Sequence, residues 1–226
     1  MKVAILFSGG KDSIMALYKA IENKEDVKYL LTIKSRNNES YMFHVPNIHI
    51  TDLISEAVDI PLITAYTNGI KEEELEDLKV EFQNLKNLGI EGIYTGALFS
   101  TYQKSRIEKL GRETGLEIIS PFWHVDEIEY MEYIVNEGFE FIISGVFAEG
   151  LDKSWLGRKI DLEAIEKLKL INKKYHINLA FEGGEAETLV LDGPIFKKKI
   201  VILNSEIIWN VDNGVYLIKE AILKNK

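Results

Sequence analysis

Two rhythms of apolar and polar positions alternate along this chain. Short apolar, β-branched runs are each followed by longer stretches with apolar residues three and four apart. The first pattern predicts strands and the second amphipathic helices. Strands are expected at Lys2 to Phe7, Val27 to Ser35, Pro61 to Tyr66, from Gly92, at Glu117 to Ser120 and at Phe139 to Phe147. Helices are expected at Asp12 to Asn23, Asn47 to Val58, Lys71 to Leu88, up to Thr114, Asp126 to Asn136 and Asp161 to Tyr175. Leu75, Leu78, Phe82 and Leu85 mark the buried stripe of the third helix, and Gly89 is placed to cap it. In the last helix Leu162, Ile165, Leu168 and Ile171 share a face.

Strands alternating with helices argue for an α/β fold, a Rossmann-like doubly wound parallel sheet. "YMFHVP" from Tyr41 interrupts the pattern, and after residue 188 it changes altogether. "KKKIVILNSEIIWNVDNGVYLI" reads as consecutive antiparallel strands turning at "NS" and "DNG", with the lysines 197 to 199 a solvated edge that discourages strand pairing. The expected division is a nucleotide-binding domain, 1–122, and a smaller C-terminal α+β substrate-recognition domain, 123–226, with the boundary near Pro121 to Trp123.

Composition narrows the chemistry. The 226 residues are 46% apolar and 28% charged, ordinary for a globular protein. Cysteine is absent, which excludes disulfides, zinc–thiolate sites, persulfide sulfur transfer and a built-in glutaminase with a cysteine nucleophile. The formal net charge of −9 disfavours direct nucleic-acid binding by a broad basic surface. No apolar stretch is long enough to span a membrane, and the run Val3 to Phe7 is too short for a signal segment, so a cytoplasmic location is expected.

The first strand runs straight into "SGGKDS", residues 8 to 13. In an open α/β sheet, ligands gather at the carboxyl ends of the strands. Glycines allow close backbone approach, and N–H groups at the start of a helix suit a phosphate. Lys11 adds charge, while Ser8 and Ser13 add hydroxyls. The spacing is neither G-x-x-x-x-G-K-[ST] nor G-x-G-x-x-G. The plainer alternative is a glycine turn with Ser8 or Asp12 capping the helix.

Three further stretches concentrate chemistry. "GALFSTYQKSR" from Gly96 places Ser100, Tyr102, Gln103 and Arg106 at the start of a helix, with Gln103 and Arg106 able to share a face. "GLDKSWLGR" sets Trp155 and Arg158 among small residues, where a tryptophan is as readily a packing anchor as a ligand contact. "FEGGEAETLVLDGP" carries Glu182, Glu185 and Glu187 around Gly183 and Gly184; the choice is between a solvated acidic turn and a cation site.

"SGGKDS" matches the fingerprint of the PP-loop ATP pyrophosphatases. With "MFHVPN", "GALFSTYQKSR", "SPFW", "GLDKSWLGR" and "EGGEAETLVLDGP" in order, nearly the whole chain resembles the diphthine–ammonia ligases in their short archaeal form. The resemblance implies ATP-dependent amidation, with ammonium, of the diphthine carboxylate on elongation factor 2 through an acyl-adenylate, releasing pyrophosphate and AMP. It places Ser8, Gly9, Gly10, Lys11, Asp12 and Ser13 at the ATP phosphates, with Mg²⁺ held through the phosphates and Asp12. It sets Ile33 beside adenine and Gly96, Ser100, Tyr102, Gln103 and Arg106 beside the nucleotide or adenylate. Lys11, Asp12, Glu182, Glu185 and Glu187 are the expected catalytic groups. His44, Trp155, Arg158, Gly183, Gly184 and Glu185 are the expected substrate contacts, with Trp155 an aromatic wall for the quaternary ammonium of diphthine. One glutamate is expected to recognise that cation or to take the proton from ammonium, and which does which stays open. The alternatives are a ligase acting on a small molecule such as a cobamide precursor, and an ATP-binding sensor without turnover. A homo-oligomer also stays open.

Overall fold

The computed structural model describes residues 1–36, 46–70 and 73–226. It divides into two compact units, one of Met1–Ser8, Asp12–Thr51 and Ile60–Trp123, the other of Gly9–Lys11, Asp52–Asp59 and His124–Lys226. His44 and most of "YMFHVP" lie outside the described residues, as does Lys71, the expected start of the third helix.

The first unit holds five parallel strands: β1 (Lys2–Leu6), β2 (Asp26–Ser35), β3 (Leu62–Thr67), β4 (Gly92–Tyr94) and β5 (Glu117–Ile119). Their order is β3-β2-β1-β4-β5. Helices α1 (Lys11–Glu22), α2 (Thr51–Val58), α3 (Glu73–Asn87) and α4 (Thr101–Thr114) connect them. β1 is central, and Val3, Ala4 and Ile5 are all fully buried, as a parallel strand covered on both faces must be. Ala4, Leu31, Ile33 and Ile93 meet Leu78, Phe82 and Leu85 of α3 and Ile107 and Leu110 of α4 in one core. The helical spacing read in α3 is thus the stripe that covers the sheet. Gly89 takes φ +83° just beyond α3, the left-handed conformation of a C-terminal cap.

In the second unit α5 (Glu127–Asn136), β6 (Glu140–Val146) and α6 (Leu162–Tyr175) precede β7 (Ala186–Asp192), β8 (Lys198–Asn210) and β9 (Asn213–Asn225). The four strands form an antiparallel sheet in the order β7-β6-β9-β8. β6 is buried along all but its first residue.

Three expectations change here. Asn204-Ser205 is a bulge inside β8, with register shifts on either side of Asn204, while the hairpin turns at Val211-Asp212. The apolar alternation resumes after "NS", so the strand absorbs one irregular step and keeps its pairing with β9. The lysines 197 to 199 are not merely a guarded edge. Lys197 pairs with Asp59 and donates its main-chain N–H to Ala57, and Lys198 pairs with Glu56 at 3.1 Å. In α6, Ile165 and Leu168 are buried as expected, but Leu162 is half exposed and Ala164 is buried in its place. Leu162 is the first helical residue, directly after the capping Asp161, which accepts from Ala164 N–H at 2.8 Å.

Candidate functional site

The chain leaves β1 toward β2 and leaves β4 toward β5, so the carboxyl ends of these two neighbours are the point where the strand order reverses. Ligand crevices of open α/β sheets form at such a point. "SGGKDS" follows β1 there, and "GALFS" follows β4. Ser8 closes the turn by donating its N–H to Ser13 Oγ at 3.2 Å, with the two hydroxyls 3.3 Å apart. Gly9 takes φ +81°, open to glycine at no steric cost. A Cβ on Gly96 would come within 2.6 Å of the Asp12 carbonyl carbon, so only glycine lets the β4–α4 loop press against the start of α1.

α4 begins at Ser100, whose hydroxyl accepts from Gln103 N–H at 3.3 Å. One turn on, the Arg106 guanidinium lies 3.5 Å over the Tyr102 ring. Tyr102, Gln103 and Arg106 are all half-buried. Ile33, expected beside adenine, has its side chain in the core beneath α3 and α4, 4% exposed.

In the second unit the glycine turn meets the acidic segment. Val190 N–H donates to the Gly9 carbonyl at 3.0 Å, and Lys11 N–H donates to Thr188 Oγ1 at 3.1 Å. Lys11 is 2% exposed, and its Nζ donates to the Ala180 carbonyl at 2.6 Å. The rings of Tyr130 and Phe181 lie 5.9 and 5.8 Å from that ammonium. The Ala180 carbonyl and the two rings thus help to orient the buried Lys11 side chain.

The three glutamates of "EGGEAET" have different settings. Glu187 stands in the ladder opposite Gly145 of β6. Glu182 donates its N–H to Asn178 Oδ1 at 3.2 Å. Glu185 accepts at Oε1 from Asn178 N–H at 2.8 Å, while its Oε2 is buried with no hydrogen-bond partner among the described residues. Gly184 takes φ +81°, and Gly183 packs where a Cβ would sit 2.6 Å from Glu185 Oε1.

Trp155 is 4% exposed with the Arg158 guanidinium 4.4 Å over its ring. It therefore anchors its loop, and its expected use as a wall for a ligand cation has no support from this packing. In the same loop Asp152 accepts from Ser154 Oγ at 2.5 Å and from Ser154 N–H at 2.8 Å. The hydroxyl bond, then the amide bond, hold its carboxyl below the usual aspartate range.

Residues that sequence reasoning passed over are Glu127, Tyr130, Asn178, Ala180, Phe181 and Thr188. A carbonyl acceptor such as that of Ala180 leaves no mark in sequence. Phe181 at φ +63° is equally silent, since a bulky residue rarely adopts that conformation. Among the described residues no three carboxylates or imidazoles converge on a metal position, and no helix is long and apolar enough to cross a membrane.

A doubly wound parallel sheet with a glycine turn at its switch point, joined in one chain to an antiparallel α+β unit, defines an α/β protein of the Rossmann-like class. The chain belongs to the diphthamide synthase family: the diphthamide synthase N-terminal domain matches residues 1–118 and the C-terminal domain residues 126–223. It is 31% identical over 228 residues to diphthine–ammonia ligase of Bos taurus, covering 92% of this chain and 85% of that protein. The Homo sapiens enzyme of the same name gives the same identity and coverage. That of Schizosaccharomyces pombe is 32% identical over 247 residues, covering all of this chain but only 40% of the yeast protein. A solved Methanocaldococcus jannaschii structure, described as a predicted subunit of tRNA methyltransferase, covers 88% of this chain and 99% of its own at 17% identity. Its TM-score of 0.47 is too low to bear on function.

Proposed function

We propose that this chain amidates the diphthine carboxylate of elongation factor 2, using ATP and ammonium. The observation that carries the reading is the junction of the glycine turn with the acidic segment through Lys11, Thr188 and Val190. A phosphate cradle alone would serve any nucleotide-binding protein. Here the turn is also hydrogen-bonded to the segment that carries the glutamates, at Ala180, Thr188 and Val190.

The substrate carboxylate oxygen attacks the α-phosphorus of ATP, and pyrophosphate leaves with the electrons of the broken P–O bond. Ammonia nitrogen then attacks the acyl carbon and AMP leaves, giving the amide and one released proton. Gly9, Gly10 and the first N–H groups of α1 receive the phosphates, and Lys11 offsets charge that grows on the departing pyrophosphate. Lys11 is a fixed charge in this scheme, not an acyl carrier. Tyr102, Gln103 and Arg106 border the nucleotide, with Arg158 a second anion contact. Glu185 takes the proton that ammonium must lose, its Oε2 free of other hydrogen bonds among the described residues. Mg²⁺, were it to accompany ATP here, would offset negative charge on the departing pyrophosphate. Asp12 would be its protein ligand, since among the described residues no three His, Cys, Asp or Glu side chains converge to hold a metal by themselves.

The test is amide formation on purified diphthine-bearing elongation factor 2 with ATP and ammonium. Expected is AMP release matched by a factor about 1 Da lighter, the change from OH to NH₂ in acyl transfer. AMP formed without any change in the factor's mass would turn the reading toward a small-molecule carboxylate. Intact ATP would turn it toward a nucleotide sensor. Glu185→Gln divides the roles: adenylate without amide marks the base, whereas loss of factor binding marks cation recognition.

A further inference from the structure

Between α6 and β7 the chain makes a tight excursion, residues 176–185, that closes around one asparagine. Asn178 Oδ1 accepts from the N–H groups of Ala180 at 2.9 Å and Glu182 at 3.2 Å. Its Nδ2 donates to Glu127 Oε1 at 2.6 Å, and the other oxygen of Glu127 accepts from Leu179 N–H at 2.7 Å. The carbonyl of Asn178 accepts from Phe181 N–H at 3.1 Å, and its own N–H donates to Glu185 Oε1. These partners fix the amide's orientation, because main-chain N–H groups need an acceptor and a carboxylate needs a donor.

Both ends of this hub reach groups that the proposed reaction uses. On one side it holds the Ala180–Phe181 segment, whose carbonyl and ring meet the Lys11 ammonium. It does so with Phe181 at φ +63°, a conformation that bulky residues keep only where surroundings impose it. On the other side it pins one oxygen of Glu185 and leaves the second, buried, without a protein partner among the described residues.

We propose that Asn178, clamped by Glu127, is a positioning residue that sets Lys11 and Glu185 together. The inference rests on the roles given to those two residues above. Neither Asn178 nor Glu127 touches substrate; each acts through hydrogen bonds to groups that do. A charged carboxylate in α5 therefore governs the geometry of a turn fifty-one positions later.

The test exploits a donor–acceptor reversal. Asn178→Asp sets a carboxylate against Glu127, and Glu127→Gln sets an amide against the Asn178 amide, so each single variant loses a bond. Combined, the Gln amide donates to the Asp while its carbonyl still accepts from Leu179 N–H, so every hydrogen bond returns and only the one between positions 127 and 178 has its direction reversed. Both single variants are expected to lower kcat for amide formation roughly 10- to 100-fold, the range in which sub-ångström misplacement acts. KM for ATP should move much less. The double variant should recover kcat to within a few-fold, with melting temperature measured for all four proteins.

Wild-type kcat in the single variants overturns the inference. So does a double variant that folds with the wild-type melting temperature yet stays as slow as the singles, or one that fails to fold despite keeping every bond. Should a single variant not fold, the double variant decides alone. A wild-type protein that makes no amide overturns the proposed function and this inference together, whereas an active wild type with unaffected variants removes the inference only.

Discussion

The main-chain N–H of Lys11 donates to the Thr188 hydroxyl at 3.1 Å across 177 positions of sequence. β7 is an edge strand of its sheet, so the outward backbone groups of that strand need partners beyond it. Gly9 supplies one, accepting from Val190 N–H, and the Thr188 side chain supplies a second link. An edge that would otherwise invite foreign strands is thereby used to shape the glycine turn.

Thr188→Val keeps the volume and removes the acceptor. It is expected to cost about 1 kcal/mol of stability, the net value of one buried hydrogen bond, and to weaken ATP binding. Thr188→Ser should retain both. Thermal unfolding and calorimetric titration with ATP check this pair; equal behaviour of Val and Ser would remove the role of the hydroxyl.

Gly96→Ala sets a methyl within 2.8 Å of the Asp12 carbonyl oxygen as well as its carbonyl carbon. Backbone atoms cannot step aside as a flexible side chain does. The β4–α4 loop should shift, with a loss of about 1–3 kcal/mol typical of overpacking and a matching rise in the Kd for ATP. Melting curves and nucleotide titration read both effects.

Lys11→Met separates packing from charge. The Lys11 side chain is buried beside Tyr130 and Phe181, so methionine should be accommodated and the protein should fold. ATP–pyrophosphate exchange should fall at least 100-fold, on the scale of removing one transition-state donor. Lys11→Arg should fare no better, because a planar guanidinium does not fit a site cut for a compact ammonium. Exchange kinetics on folded variants decide it.

Asp152 predicts a pH effect of definite sign. Its carboxyl is held below the ordinary range by Ser154, so the ionised form is favoured in the folded protein. The stabilisation is present above the unfolded value, about pH 4 for aspartate, and is lost as pH falls through the depressed folded value. The difference in melting temperature between wild type and Asp152→Ala should be full at pH 5 and above, about one unit over that reference, and shrink toward pH 2–3. A difference constant over that window would contradict the assignment.

Much of this molecule was legible as a string. The parallel sheet follows from apolar runs too short for helices and too continuous for half-exposed strands, and α3 and α4 follow from their spacing. Glu, Gly and Lys at "SGGKDS" and "EGGEAET" announced chemistry because such residues are poor choices for plain turns. Local rules hold where a segment's partner is solvent or a generic apolar face. They fail where one residue's role is set by another far away. "NS" resembles a turn until β9 pairs on both sides of it, and Lys197 and Lys198 resemble free edge charges until Asp59 and Glu56 meet them. Nothing in the sequence around Ile33 and Trp155 announced that each side chain would be only 4% exposed. What sequence alone determined is the set of elements and the two chemical motifs, since period, propensity and turn chemistry are local. What only tertiary structure decided is that Asn178, Ala180 and Thr188 join those motifs, because a hydrogen bond depends on where the chain returns in space.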